Sequence, residues 1–275
     1  MTETTIANGS TAPRSAPLGN AIAIASGKGG VGKTWLSISL AQALTQAGER
    51  VLLFDGDLGL ANVDIQLGLT PAIDLGTAIE REWPLSRAVT PSGAGFSVIA
   101  GRSGSGGLAH LPAHRLAALI DGLRQVATGY DRVILDLGAG IDRPVRQLAS
   151  LCATVVVVAN DEPTTLTDAY ALIKMLKADG APGRVGIAVN SAQDVAQGRQ
   201  TFETLAKACR SFLKFDPALL GIIRRDTKVK DAIRAQTPLL TRHPAAIAAA
   251  DVEALASLIA AETREVPPRQ TSLGT

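Results

Sequence analysis

At 275 residues the chain is long enough for one large α/β domain or, less favourably, two small ones, and its formal net charge of +2 is too mild to imply nucleic acid by itself. Phe, Trp and Tyr make up only 3% of the residues, which excludes the base-stacking platforms of single-strand binders. Two cysteines, Cys152 and Cys209, stand far apart without a C-x-x-C pair and read as buried, inert thiols in a reducing compartment.

Residues 1–19 are rich in Thr, Ser, Ala and Pro without periodicity, and a disordered lead-in is expected. An apolar run, Ala21 to Ala25, then enters Gly27-Lys28-Gly29-Gly30-Val31-Gly32-Lys33-Thr34, which fits G-x-x-x-x-G-K-[ST] at every fixed position. A helical face follows within Trp35 to Ala47, with Gly48 as its C-cap. Strand, phosphate loop and helix come in the order a P-loop requires. Gly27, Gly29, Gly30 and Gly32 let backbone N–H groups curl round a polyphosphate where a Cβ would crowd the oxygens. Lys33 is placed to reach the β- and γ-phosphates, the Thr34 hydroxyl to sit on Mg²⁺, and the helix N-terminus to add partial positive charge. A glycine loop of purely structural use leaves Lys33 and Thr34 unexplained. Lys28 is a second lysine that one nucleotide in one chain does not need.

Val51 to Phe54 is apolar throughout, as a strand covered on both faces should be. Asp55 and Asp57 emerge at its carboxyl end, where doubly wound sheets place ligands. Asp57 is the candidate for orienting an attacking water; a solvated Asp-Gly-Asp turn is the plainer alternative. Asp74 to Val89 reads as a short helical hairpin, Phe96 to Ala100 as a strand, and residues 101–107 as a glycine loop without the lysine and threonine of a second P-loop. His110 and His114 are four apart, but Pro112 breaks the helix between them and no third ligand is near, so no metal site is expected.

Leu116 to Val126 is an amphipathic helix, and Arg132 to Leu135 a buried strand ending in Asp136, a Walker B arrangement that would hold Mg²⁺ through water opposite Thr34. Thr154 to Ala159 is the most apolar strand. After it, Thr167 or Asp168 is expected to cap a helix, and the adjacent Asp161 and Glu162 read as capping and solvation rather than acid–base chemistry. Val185 to Asn190 is the next strand, Phe202 to Phe212 a helix, Leu220 to Ile223 the final strand and Asp251 to Ala261 an Ala- and Leu-rich helix. The basic run Arg224 to Arg234 has two readings: a solvated helix face paired to Asp226 and Asp231, or a patch for nucleic acid or anionic lipid.

Lys28-Gly29-Gly30-Val31-Gly32-Lys33-Thr34 resembles the deviant Walker A of the MinD/ParA family, and Asp57-Leu58-Gly59-Leu60-Ala61-Asn62-Val63-Asp64 is similar to the first switch of its FlhG/FleN branch. Asp136-Leu137-Gly138-Ala139-Gly140 resembles the family's second switch. The resemblance covers about residues 20–262 and leaves 263–275 as a flexible tail. It implies a three-layer α/β P-loop NTPase domain with a mostly parallel central sheet, binding ATP and Mg²⁺. It implies a homodimer formed with ATP, in which Lys28 crosses to the partner's phosphates, and slow hydrolysis until a protein activator engages. Lys28, Lys33 and Asp57 are then the catalytic set, Thr34 and Asp136 the metal set, and residues 27–34 the nucleotide loop. In the family an asparagine at Asn190 reads the adenine edge; a simple Asx turn is the other reading. No N/T-K-x-D run for guanine is visible, which favours ATP.

The implied role is control of flagellar placement or number, in the cytoplasm or peripherally at the inner membrane or cell pole. No segment approaches the ~18 apolar residues of a membrane span, and no signal pattern opens the chain. Two departures stand out. The branch's D-Q-A-x-x-L-R motif, tied to activation of the GTPase FlhF, has no counterpart in residues 1–19. The C-terminus carries Pro267 and Pro268 and lacks Trp, Phe and Lys, against the membrane-inserting helix of MinD. Two further readings remain open: a ParA-like partition ATPase on non-specific DNA, and a nucleotide-dependent scaffold with negligible hydrolysis.

Overall fold

The computed structural model describes residues 17–57, 59–101, 111–181 and 183–264. The expected lead-in and tail therefore fall almost wholly outside the described residues, as do His110 and most of the glycine loop after Gly101.

Strands and helices alternate along the described chain: β1 (Leu18–Ser26), α1 (Lys33–Gln46), β2 (Val51–Gly56), α2 (Val63–Leu67), α3 (Leu75–Glu80), β3 (Val89–Pro91), β4 (Ser97–Ile99) and α4 (Ala113–Ala127). Then come β5 (Arg132–Ala139), α5 (Arg143–Ala149), β6 (Cys152–Ala159), α6 (Pro163–Ala178), β7 (Arg184–Ala192), α7 (Val195–Ala208), β8 (Ala218–Arg224), α8 (Thr227–Arg234), α9 (Leu239–Arg242) and α10 (Ile247–Arg264). Eight strands form one sheet in the order β3-β4-β2-β5-β1-β6-β7-β8, parallel except where β3 runs against β4.

Side-chain alternation divides each strand between two helical layers. From β1, Ala21, Ala23 and Ala25 pack toward α4, α5, α6 and α7, whereas Ile22 and Ile24 pack toward α1, α8, α9 and α10. Leu52 and Phe54 of β2 join the first layer, and Val51 and Leu53 the second. Fully apolar strands are thus what a sheet covered on both sides demands. The expected three-layer, mostly parallel α/β architecture is the one found.

The hairpin expected over Asp74 to Val89 is instead one short helix, a 3₁₀ turn at Leu85–Ala88 and the edge strand β3. Pro91 ends that strand at the sheet edge, where a residue without an N–H leaves no ladder bond missing. The helix expected at Phe202 to Phe212 is α7 followed by a π-helical turn, Cys209–Leu213, closed by Lys214 in the left-handed region at φ 51°.

Five central strands bring their carboxyl ends together. β1 delivers the glycine loop, β2 Asp57 and β6 Glu162; the strand expected to end at Asp136 runs on to Ala139, so Asp136 lies within β5, as Asn190 lies within β7. Asp136 sits in register with Ile24 of β1 on one side and Asp55 of β2 on the other.

Candidate functional site

Close packing dictates the glycine loop. A Cβ on Gly27 would stand 2.1 Å from the Asp168 carbonyl oxygen, so α6 closes against the loop and only glycine fits. Gly32 has φ 92°, and a Cβ there would stand 2.4 Å from Asn190 Nδ2. That amide donates to the Val31 carbonyl at 2.7 Å, a buried strut from β7 under the loop. Gly32 is also the N-cap of α1 and offers no side-chain acceptor, so the first-turn amides remain for an anion.

Lys33, 8% exposed, lies beneath the loop with Nζ donating to Ser26 Oγ at 2.9 Å, and Ser26 donates in turn to the Lys28 carbonyl at 2.5 Å. Burial pushes the Lys33 ammonium below its ordinary pKa, while Asp136 and then Asp57 pull it up. Asp136 is buried, with Ser37 Oγ 2.9 Å from its Oδ1. Desolvation raises its carboxyl to about 6, opposed by the Thr34 hydrogen bond, the Lys33 charge and Ser37. Asp55 is fully buried beside it; desolvation first and then the Asp136 charge raise it to about 7, opposed by N–H bonds from Val63, Asp57 and Asn62. Asp57 Oδ1 accepts the Leu60 N–H at 3.1 Å, and its carboxylate lies against Gly138 at the end of β5, 3.5 Å from where a Cβ would stand.

Lys28 stands elsewhere. Its side chain is 40% exposed at the rim, with Nζ 2.8 Å from Thr164 Oγ1 and 3.1 Å from Glu162 Oε2, both at the start of α6. The Lys28 hydrogen bond holds the Glu162 carboxyl below its ordinary range.

The fold therefore gathers Lys33, Thr34, Asp57 and Asp136 into one cleft, sets Lys28 on its rim, and puts Asn190 behind the loop with its amide donor engaged by Val31. Ser26, Ser37, Glu162 and Thr164 complete the cluster without having been singled out as site residues in the sequence. Ser37 had a signal, since it lies one turn after Lys33 on the same helical face. Ser26 is local, two residues before Lys28, but the P-loop pattern does not fix it; Glu162 and Thr164 had no signal, because only the tertiary fold brings them to Lys28.

Two expectations need correction. Thr167 and Asp168 do not cap α6: its N-cap is Glu162, with Pro163 in the first turn, and Thr167 donates to the Pro163 carbonyl at 3.0 Å inside the helix. Asp226 and Asp231 do not pair with the lysines of α8. Asp226 caps the helix through the Lys228 N–H, and Asp231 turns to Arg242 and His243, both at 2.6 Å. Arg224 is held by Asp251 at 2.7 Å, leaving Arg225, Lys228, Lys230 and Arg234 exposed.

The donor set fits a magnesium nucleotide. A buried ammonium and a left-handed glycine cradle suit phosphate oxygens, and a threonine hydroxyl on a carboxylate supplies the hard oxygen donors magnesium prefers. Among the described residues no three His, Cys, Asp or Glu cluster as a metal site, and no helix is long and apolar enough to cross a membrane.

A strand, a glycine cradle closed by a lysine, and aspartates on the two adjacent strand ends define a P-loop nucleotide-binding protein. Residues 22–239 match the family model described as the CobQ/CobB/MinD/ParA nucleotide binding domain, and the chain belongs to that family. It is similar to the antiactivator FleN of Pseudomonas aeruginosa, 37% identical over 238 residues that cover 86% of this chain and 85% of the relative. It is also similar to the flagellum site-determining protein YlxH of Helicobacter pylori, 30% identical over 86% of this chain and 81% of the relative. Among solved structures, the septum site-determining protein MinD of Pyrococcus horikoshii, complexed with Mg-ADP, superposes with a TM-score of 0.73 at 22% identity, over 90% of this chain and 99% of that one.

Proposed function

We propose that the protein is a dimerising switch ATPase of the MinD/ParA type that sets flagellar number or placement. The names of the FleN and YlxH relatives support the flagellar role. The observation that carries the switch reading is the separation of the two loop lysines: Lys33 buried under the cradle, Lys28 half-exposed on the rim.

In this reading residues 27–34 cradle the phosphates of ATP, with Lys33 and the loop amides facing the charge that grows in the transition state. Thr34 and, through water, Asp136 would hold Mg²⁺, which would supply neutralisation of phosphate charge. Asp57 orients the attacking water. Lys28 leaves Glu162 and Thr164 to reach the nucleotide of a second copy, so hydrolysis depends on assembly. Asn190 fixes the loop from behind through one amide N–H, and its Oδ1 and second N–H read the adenine edge. A protein activator then sets the rate.

The test is the molar mass in solution with ADP and with ATP and Mg²⁺, for the natural protein, Lys28→Ala and Asp57→Ala. A dimer with ATP that Asp57→Ala keeps and Lys28→Ala loses is expected. One constant mass throughout would end the switch reading. A second reading, a partition ATPase on non-specific DNA, draws on the exposed Arg225, Lys228, Lys230 and Arg234. Its mark is ATP-dependent DNA binding that weakens steeply with salt.

A further inference from the structure

We propose that Asp55 is the positioning residue of the first switch: its buried carboxylate clamps the chain at Asp57 and again at Asn62 and Val63, and so fixes where the Asp57 side chain stands. The proposal rests on the reading of Asp57 as the water-orienting group.

Asp55 belongs to the rigid end of β2, in register with Asp136, and has no exposed surface. Its Oδ1 accepts the Asp57 N–H at 3.1 Å, and its Oδ2 accepts the N–H groups of Asn62 and Val63, both at 3.2 Å. The last two donors open α2. Asn62, the N-cap of α2, makes no side-chain cap bond, because its Nδ2 is turned to the Leu60 carbonyl. Asp55 therefore caps α2 from the neighbouring strand. The opposite wall is equally close: a Cβ on Gly101 would stand 3.3 Å from Asp55 Cγ and 2.6 Å from Ala61 Cβ.

The Asp57 carboxylate has only a looser hold. Its Oδ1 accepts from Leu60, whose side chain is 73% exposed, so this contact is open to exchange when ligand or partner arrives. The Asp55 clamp is buried and stays. Asp57 can then swing at its side chain while its backbone keeps its place. Only a carboxylate fills this role, since an amide presents one oxygen and turns its NH₂ toward N–H donors.

The experiment compares ATP hydrolysis, nucleotide affinity and amide exchange in the full chain for Asp55→Asn, Asp57→Ala and the double variant. Asp55→Asn should lower kcat roughly tenfold or more with KM for ATP and affinity for Mg-ADP within about threefold. The double variant should be no slower than Asp57→Ala alone, because one residue acts through the other. Losses that multiply, or an unchanged kcat in Asp55→Asn, overturn the clamp. Exchange at Asn62 and Val63 should quicken in Asp55→Asn, and unchanged protection also overturns it. If the natural protein hydrolyses no ATP even with an activator, the ATPase reading fails and amide exchange alone decides the clamp. If Asp55→Asn does not fold, the natural protein still decides: Asn62 and Val63 amides exchanging as fast as that of Leu60 overturn it.

Discussion

Lys28 is ion-paired with Glu162 of its own chain at 3.1 Å, a contact that joins residues 134 positions apart. The lysine assigned to reach a second copy is thus held at home by the start of α6. Glu162 is the N-cap of α6, yet its side chain caps nothing in that helix.

Releasing Lys28 should therefore favour assembly. Glu162→Gln removes the charge and keeps the volume, and ATP-dependent dimers should form at severalfold lower protein concentration. Exposed pairs are weak, so the effect stays modest. Sedimentation of both proteins across a concentration series measures it, and a dimer weakened in Glu162→Gln would place Glu162 on the assembling face instead.

Lys33 works by a different balance. It is a buried cation whose desolvation is only partly offset by Asp136 and Asp57, and those buried carboxylates lose their counter-charge when it is removed. Lys33→Gln should melt several degrees below the natural protein without nucleotide and also lose the thermal stabilisation that Mg-ATP confers. Differential scanning calorimetry with and without Mg-ATP checks both halves.

The pH dependence follows from two buried carboxyls. Asp55 and Asp136 are raised to about 7 and about 6 from 3.8, so between roughly pH 4 and 7 the folded state binds protons that the unfolded state has lost. Stability contributed this way is present at the acid end of that window and falls as pH rises, levelling off above about 7. Asp131 and Asp231, lowered to about 2 by Arg50 and by Arg242 with His243, act oppositely and lose their contribution as pH falls below about 4. The nucleotide-free protein should melt at lower temperature at pH 8 than at pH 5. If Asp136 helps to hold Mg²⁺ as proposed, Mg-ATP should flatten that slope. A melting temperature that climbs steadily from pH 5 to 8 without nucleotide contradicts the assignment.

The sequence made the sheet legible because its central strands are apolar on both faces, and the P-loop legible because Gly27, Gly32, Lys33 and Thr34 keep a fixed spacing directly after a strand. Asp57 and Asp136 were readable by their place just after apolar runs. Asp55 is harder to see, since an Asp-Gly-Asp turn looks solvated until β5 and Gly101 are packed around it. Glu162 and Thr164 were legible only as a helix start, because a contact across 134 positions has no local signature. The edge strand β3 is three residues long, too short for alternation to show.

Glycines of one loop should differ sharply. Gly27→Ala drives a methyl into the Asp168 backbone, which cannot yield without shifting α6, and should cost about 2 kcal/mol or more together with nucleotide binding. Gly30, at φ 78° with open space around it, should cost about 1–2 kcal/mol of backbone strain as alanine and leave α6 in place. Denaturant midpoints separate the two, and equal losses would mean that α6 does not press on the loop.

Leu60 and Ile141 offer the last test. They are 73% and 42% exposed, and they follow Asp57 and Gly140 at the carboxyl ends of β2 and β5. Large apolar side chains exposed on either side of a site mark a surface that another surface covers. Leu60→Glu should fold normally, since an exposed substitution shifts stability by only about 0.5 kcal/mol, and should bind ATP yet remain monomeric. Phe212 is more exposed still, at 77%, but it lies beyond the far end of α7, which runs back from the carboxyl end of β7. Phe212→Glu should therefore keep the ATP-dependent dimer. Molar mass measured on both variants with Mg-ATP decides: loss of the dimer in Phe212→Glu but not in Leu60→Glu would move the assembling face away from the switches.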